Sequence, residues 1–187
     1  MSFVYRADKE LNYLGACARK ERWAQELLYK EFYSTMMPLC HRYATNKEDA
    51  LDIMHEGFIK VFKHIHKYEA GTSLNAWIKR IMINTAIDYY RKAVRRRTED
   101  LDAAYDISSK DPNAINLLAA EEIVNCLHQL TPSYRSIFNL YIMEGYSHKE
   151  IAEKLGISES TSRSNLVKAR AKLKALLLAN SIEYARR

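Results

Sequence analysis

Between Thr131 and Ser158 the chain carries three helix starts and two stops in close succession, and these leave room there only for short helices joined by tight turns. Thr131 followed by Pro132 has the form of an N-cap and a first helical residue, and Gly145 suits the position just past a helix end. Ser147 and Glu150 then fit the S-x-x-E capping box of a second helix with apolar residues Ile151, Ala152 and Leu155. Gly156 supplies a turn, and Ser158 is placed to cap a last helix reaching past Leu176. A short helix, a glycine turn and a longer helix make a helix-turn-helix. On the last helix, Ser162, Leu166, Ala169, Leu173 and Leu176 or Leu177 share one side, fit for burial. Ser160, Arg163, Ser164, Val167, Ala171 and Lys174 fall on another, outward side. A groove-reading helix needs that outward mix, because small residues allow close approach, Arg forks onto guanine edges and Val meets a thymine methyl. Lys168, Arg170 and Lys172 flank it as candidate phosphate contacts. A solvated face of an ordinary helical bundle has a similar pattern, so the rest of the chain has to decide between the two.

Helical spacing extends along the whole of the 187 residues, with almost no alternating strand pattern, and only 5 Gly and 3 Pro interrupt it. The expected fold class is all-α: two small helical domains joined by a flexible linker, the C-terminal one containing the helix-turn-helix. The spacing divides the chain into a first lobe over 8–97, a linker over 98–116 and a second lobe over 117–187. The linker has no sustained apolar period, and charge marks its start: Arg91, Lys92, Arg95, Arg96 and Arg97 precede Glu99, Asp100, Asp102, Asp106 and Asp111. A net charge of +6 with a pI near 9.1 favours polyanionic partners, though many unrelated proteins share such a charge. Cys17, Cys40 and Cys126 are widely spaced and odd in number, which points to a reducing compartment. The N-terminus lacks the apolar core of a signal peptide and no apolar run is long enough to span a membrane, so the expected location is cytoplasmic.

In the first lobe, Asn46 suits the N-cap of a helix whose apolar positions are Ala50, Ile53, Met54, Gly57, Phe58, Val61, Phe62 and Ile65. Its outward side carries an acidic stripe, Asp49, Asp52 and Glu56, with Ile53 and His55 beside it, which taken alone reads as a plain solvated face with acids favourable to the helix dipole. Gly71 breaks the pattern and a further helix restarts near Thr72 or Ser73. Leu74, Ile78, Ile81, Thr85 and Tyr89 form its inward stripe; Arg80, Asn84, Asp88, Arg91 and Arg95 form a polar stripe headed by Trp77. His55, His64 and His66 do not share one helix face, so no metal site is expected, and no cofactor motif occurs.

Two of these segments carry a family resemblance. "LTPSYRSIFNLYIMEGYSHKEIAEKLGISESTSRSNLVKARAKL" resembles the C-terminal DNA-binding region of the bacterial sigma-70 family, in particular its extracytoplasmic-function (ECF) subfamily. In the first lobe, "EDALDIMHEGFIKVF" is similar to that family's polymerase-binding helix, and "SLNAWIKRIMINTAIDYYRK" to its helix for the downstream promoter element. The resemblance implies a promoter-specificity subunit of RNA polymerase with no catalytic centre and no cofactor. It further implies partners: core polymerase, promoter DNA (duplex at −35, single-stranded at −10) and an inhibitory anti-sigma factor. By this similarity Ser160, Arg163, Ser164, Val167 and Lys168 would read the −35 element. Asn84, the Tyr68–Ser73 loop with Gly71 and Thr72, Trp77, Arg80, Asp88 and Arg91 would take the −10 element. Asp49, Asp52, Ile53, His55 and Glu56 would meet core polymerase, although the family usually has glutamine where His55 stands. A stand-alone helix-turn-helix regulator is the alternative. A helical enzyme ranks last, for want of a nucleophile–base pair, a glycine-rich phosphate loop or a carboxylate pair in a credible setting.

Overall fold

The computed structural model describes residues 13–99 and 118–184, and every regular element among them is helical. In order these are α1 (13–18), α2 (Arg22–Tyr43), α3 (Lys47–His64), a 3-10 turn (Ile65–Lys67) and α4 (Leu74–Glu99). After the gap come α5 (Leu118–His128), α6 (Pro132–Phe138) running into a π-helical segment (Asn139–Met143), α7 (His148–Leu155) and α8 (Glu159–Tyr184). The all-α class expected from the spacing is what these elements form. The helical pattern was expected to stop at Arg97, but α4 continues to Glu99, because Thr98 and Glu99 cost a growing helix little. Residues 100–116, most of the expected linker, lie outside the described residues.

The chain divides into two compact units. One holds the residues up to Cys40 with Glu48–Ala86, the other His41–Lys47 with the residues from Ile87 onwards.

The first unit is built on three helices whose apolar faces meet. Leu28 and Met36 of α2, Ile53, Met54, Phe58 and Val61 of α3, and Ile78 and Met82 of α4 are all fully buried. Burial of a side chain of this size contributes about 1.5–3 kcal/mol, so this cluster is the main cohesive force of the unit. Glu48 and Asp49 occupy the first turn of α3 and Lys63 and His64 its last, each opposite in sign to the nearby end of the helix dipole. At Gly57, α3 has no side chain, and the space is taken by Met82: a Cβ built there would lie 2.2 Å from its Sδ. The buried band of α4 differs from the expected stripe. Leu74, Ile78 and Thr85 are buried as expected, whereas Ile81 and Tyr89 are only half-buried. Met82, Ile83, Ala86, Ile87 and Tyr90 complete the band instead, so it is wider than one stripe and turned by about one residue. The Thr85 hydroxyl, buried with this band, donates to the Ile81 carbonyl at 2.9 Å and so leaves no polar atom unsatisfied.

In the second unit the punctuation read from the sequence is observed residue for residue. The Thr131 side chain accepts from Tyr134 N, and Pro132 is the first residue of α6. The Ser147 hydroxyl accepts from Glu150 N at 3.2 Å while the Glu150 carboxylate accepts from Ser147 N at 2.8 Å, closing the capping box. Gly156 ends α7 with φ +69°, a left-handed conformation that glycine adopts without strain. Ser158 Oγ then accepts from Thr161 N at 3.0 Å and opens α8. Cys126, Leu127, Leu130, Ala169 and Leu173 form a buried cluster, with Tyr134, Phe138 and Leu176 packed against it. Beneath it, the Arg135 guanidinium is buried and donates to the carbonyls of Ala44, His128 and Leu130. Three carbonyl acceptors offset part of the cost of taking that charge out of water.

Candidate nucleic-acid interface

Helix α8 shows how one sequence period yields two surfaces. Ser162, Leu166, Ala169 and Leu173 are buried, as their spacing requires, and this fixes the rotation of the helix about its own axis. Arg163, Ser164, Val167 and Lys168 are exposed as a consequence, with Val167 at 67% exposure. The two methyl groups of Val167 are of the kind that meets a thymine methyl in a major groove. The Arg163 guanidinium is paired with the Glu159 carboxylate one turn earlier. Ser160 shares a hydrogen bond with Ser158 at 2.8 Å, and the Ser164 hydroxyl donates to the Thr161 carbonyl at 3.1 Å. These bonds hold the small residues flat against the helix. Lys168, Arg170, Lys172 and Lys174 are exposed along the same helix, so this surface is cationic.

Helix α7, which precedes the turn, is fixed at its first residues. The Glu150 carboxyl is held below its ordinary range by the hydrogen bonds it accepts from the Ser147 backbone and hydroxyl. Beside it, His148 Nδ1 lies 2.9 Å from the buried Ser162 hydroxyl, and its ring stacks on Tyr141 at 4.5 Å. Nothing in the sequence pattern singled out His148. Its partner Ser162 was assigned to the inward side, but that assignment names no bonding partner.

On α4, Arg80, Asn84 and Arg91 are exposed and Asp88 is half-buried, with Arg91 Nη1 3.7 Å from Asp88 Oδ1. Their spacing keeps them on one side of the helix, as expected. The side chains of Arg96 and Arg97 lie outside the described residues. The loop before α4 is a hydrogen-bonded turn. The Tyr68 hydroxyl donates to the Thr72 carbonyl at 2.5 Å and the Thr72 hydroxyl to the Glu69 carbonyl at 2.8 Å. Gly71 sits at φ +89° with open space where a Cβ would be. Ser73 Oγ accepts from Ala76 N at 3.2 Å, capping α4. Half-buried Trp77 meets Tyr68 edge-on with ring centres 5.8 Å apart, an aromatic pair that supports the turn from below.

On α3, Asp52, His55 and Glu56 are exposed and Asp49 is half-buried. Ile53, grouped with them in the sequence, is 1% exposed and packs inward with Ala50, Met54 and Gly57. That corrects its assignment as a surface contact: one step along a helix turns the side chain by about 100°, which carries Ile53 from the acidic edge into the core. His55 rests on the Tyr29 ring at 6.2 Å. Among the described residues no cluster of three metal-ligating side chains occurs, and no helix is long and apolar enough to cross a membrane.

Comparison with known proteins finds family matches in both halves of the chain. Residues 28–96 match the family model described as sigma-70 region 2, and residues 120–173 the one described as sigma-70, region 4. The ECF RNA polymerase sigma factor SigE of Mycolicibacterium smegmatis is 31% identical over 163 residues, which cover 84% of this chain and 63% of that relative. The chain thus spans a little under two thirds of SigE. The ECF RNA polymerase sigma factor EcfG of Rhodopseudomonas palustris is 31% identical over 139 residues, covering 74% of this chain and 76% of the relative. A solved structure of the sigma factor RpoE in complex with the anti-sigma factor NepR, from Bartonella quintana, superimposes with a TM-score of 0.51. It covers 80% of this chain and 96% of the solved one at 22% identity, a likeness of fold alone. With a region 2 model and a region 4 model matched in order along one helical chain, and with EcfG as a relative over three quarters of its length, the protein belongs to the sigma-70 family, in its extracytoplasmic-function branch.

Proposed function

We propose that this protein confers promoter specificity on core RNA polymerase, binding the enzyme and both promoter elements without making or breaking a bond itself. In this reading residues 8–97 take core polymerase and the −10 element, 98–116 link, and 117–187 bind the −35 element. The observation that carries it is the rotation of α8, which buries Ser162, Leu166, Ala169 and Leu173 and leaves Arg163, Val167 and Lys168 outward. A bidentate Arg–guanine contact contributes about 1–3 kcal/mol of base discrimination, while the lysines add sequence-independent, salt-sensitive affinity. On α4, an exposed Asn84 between Arg80 and Arg91 supports the −10 role: an amide can pair with an unstacked base edge while cations hold the strand. The exposed acids and His55 of α3 form the proposed polymerase contact, with Ile53 supporting them from the core.

The working compartment is the cytoplasm, where polymerase and DNA are found, and an anti-sigma factor is the proposed regulator. The related RpoE was solved bound to such a partner. The test is in vitro transcription with purified core polymerase across a genomic promoter library. Start-site-specific transcripts that require this protein are expected, together with weak, salt-sensitive binding of the free protein to promoter duplex. Specific duplex binding by the protein alone, with no gain in transcription, would favour a stand-alone regulator.

A further inference from the structure

The buried hydroxyl of Ser162 raises a question that packing alone does not answer. An alanine fills the equivalent buried position at Ala169. A buried hydroxyl without a partner costs free energy, so a serine here has to be bonded to something specific. It shares a 2.9 Å hydrogen bond with His148 Nδ1. His148 is the first residue of α7, enclosed between the two partners of the Ser147–Glu150 capping box, which anchors this turn of backbone. Its ring is also fixed, lying nearly parallel to Tyr141 at 4.5 Å with a 24° tilt. Arg170 places its guanidinium 5.8 Å from the centre of the same Tyr141 ring. Helix α8 is therefore held at Ser162 and again at Arg170, points roughly 12 Å apart along its axis.

We propose that His148 is a positioning residue for promoter reading: its bond to Ser162 sets the first turns of α8 so that Arg163 and Val167 meet the −35 base edges. This rests on the proposed function and adds a residue to it. The chain of contacts is short. Ser162 adjoins Arg163 in sequence, and a displacement of the helix at Ser162 moves the guanidinium with it. Groove hydrogen bonds weaken steeply with misalignment, so a small shift there costs base selectivity before it costs overall affinity. The charged groups facing the imidazole are Arg163, Glu159 and Arg170 of α8, with the Tyr141 ring against its face. Burial and then Arg163 hold its pKa below the ordinary histidine value, so at neutral pH it acts as an uncharged pin, not as a phosphate-binding cation.

The test uses polymerase reconstituted with the full-length protein and a promoter carrying every single-base change in its −35 element. His148→Phe keeps a ring against Tyr141 and removes the bond; it is expected to lower the preference for the cognate base about five-fold, the scale of one lost hydrogen bond, at the positions where Arg163→Ala also loses preference. His148→Asn, which can put a polar group where Nδ1 was, is expected to restore most of it. Ser162→Ala removes the other partner, is expected to repeat the loss and serves if the Phe variant does not fold. Unchanged base preference in both Phe and Ala variants overturns the proposal, as does an equal loss in Phe and Asn variants spread over all positions, which marks mere packing. Loss of any −35 dependence by the wild-type protein is a different result, one that refutes the proposed function.

Discussion

Gly57 is where two effects of opposite sign can be weighed against each other. Alanine is the better helix former by about 1 kcal/mol, so on propensity alone Gly57→Ala should stabilise α3. The structure gives the other side: an added Cβ would lie 2.2 Å from Met82 Sδ and 3.0 Å from its Cε. Those atoms end a flexible side chain, but Met82 is itself fully buried and has no solvent to swing into. Forcing a methyl into a packed core costs about 1–3 kcal/mol. The net expectation is a destabilisation of about 1 kcal/mol. Met82→Ala alone should cost about 2–5 kcal/mol, by loss of transfer energy and the cavity it leaves. With the sulfur gone, Gly57→Ala should reverse sign and stabilise the Met82→Ala protein by about 1 kcal/mol, the propensity term now unopposed. The assay is urea unfolding followed by tryptophan fluorescence. Both tryptophans, Trp23 and Trp77, belong to the first unit, so the signal isolates it from the second. A higher urea midpoint for Gly57→Ala in the Met82 background would show that the helices do not approach this closely, and the core described for the first unit would have to be redrawn.

Other expectations concern binding and caps. Arg163→Ala should lower transcription from cognate promoters about 10- to 100-fold, in line with one lost guanine contact, while polymerase affinity by co-purification stays the same; parallel loss of both would argue against base reading. Reversing the acidic stripe with Asp49→Lys and Asp52→Lys should weaken capture of core polymerase in a pull-down while the protein stays folded, with a loss of stability of about 1 kcal/mol from the dipole-favourable Asp49; unaltered capture would remove these residues from the interface. Ser147→Ala should destabilise the second unit by about 1 kcal/mol, measured as a lower thermal midpoint by circular dichroism. The same cap carries a pH signature. Glu150 has a folded pKa below its unfolded one, so its contribution is present above the ordinary glutamate range and is lost as pH falls through the lowered value. Acid should therefore narrow the gap between wild type and Ser147→Ala, and a gap that widens in acid would contradict the capping box.

Much of this molecule could be read before any fold was known, because the informative signals are local. A cap acts within one turn, so Thr131, Ser147 with Glu150, Gly156 and Ser158 announce helix ends through their own side chains and neighbouring backbone. The inward residues of α8 follow from a period of 3.6, and four of those read as inward are buried. Tertiary structure decided whatever depends on which helix lies opposite. The buried band of α4 turned by about a residue because Met82 packs at Gly57, a contact between helices that no period within either helix encodes. The bond of His148 to Ser162 joins residues of two different helices across the Gly156 turn, and only the packing of α7 on α8 brings them together. Local chemistry therefore fixed where the helices begin and end and which face of α8 turns inward. Close approach between helices fixed which side chains brace that face, since van der Waals contact and hydrogen bonding act over a few ångströms in space and take no account of distance along the chain.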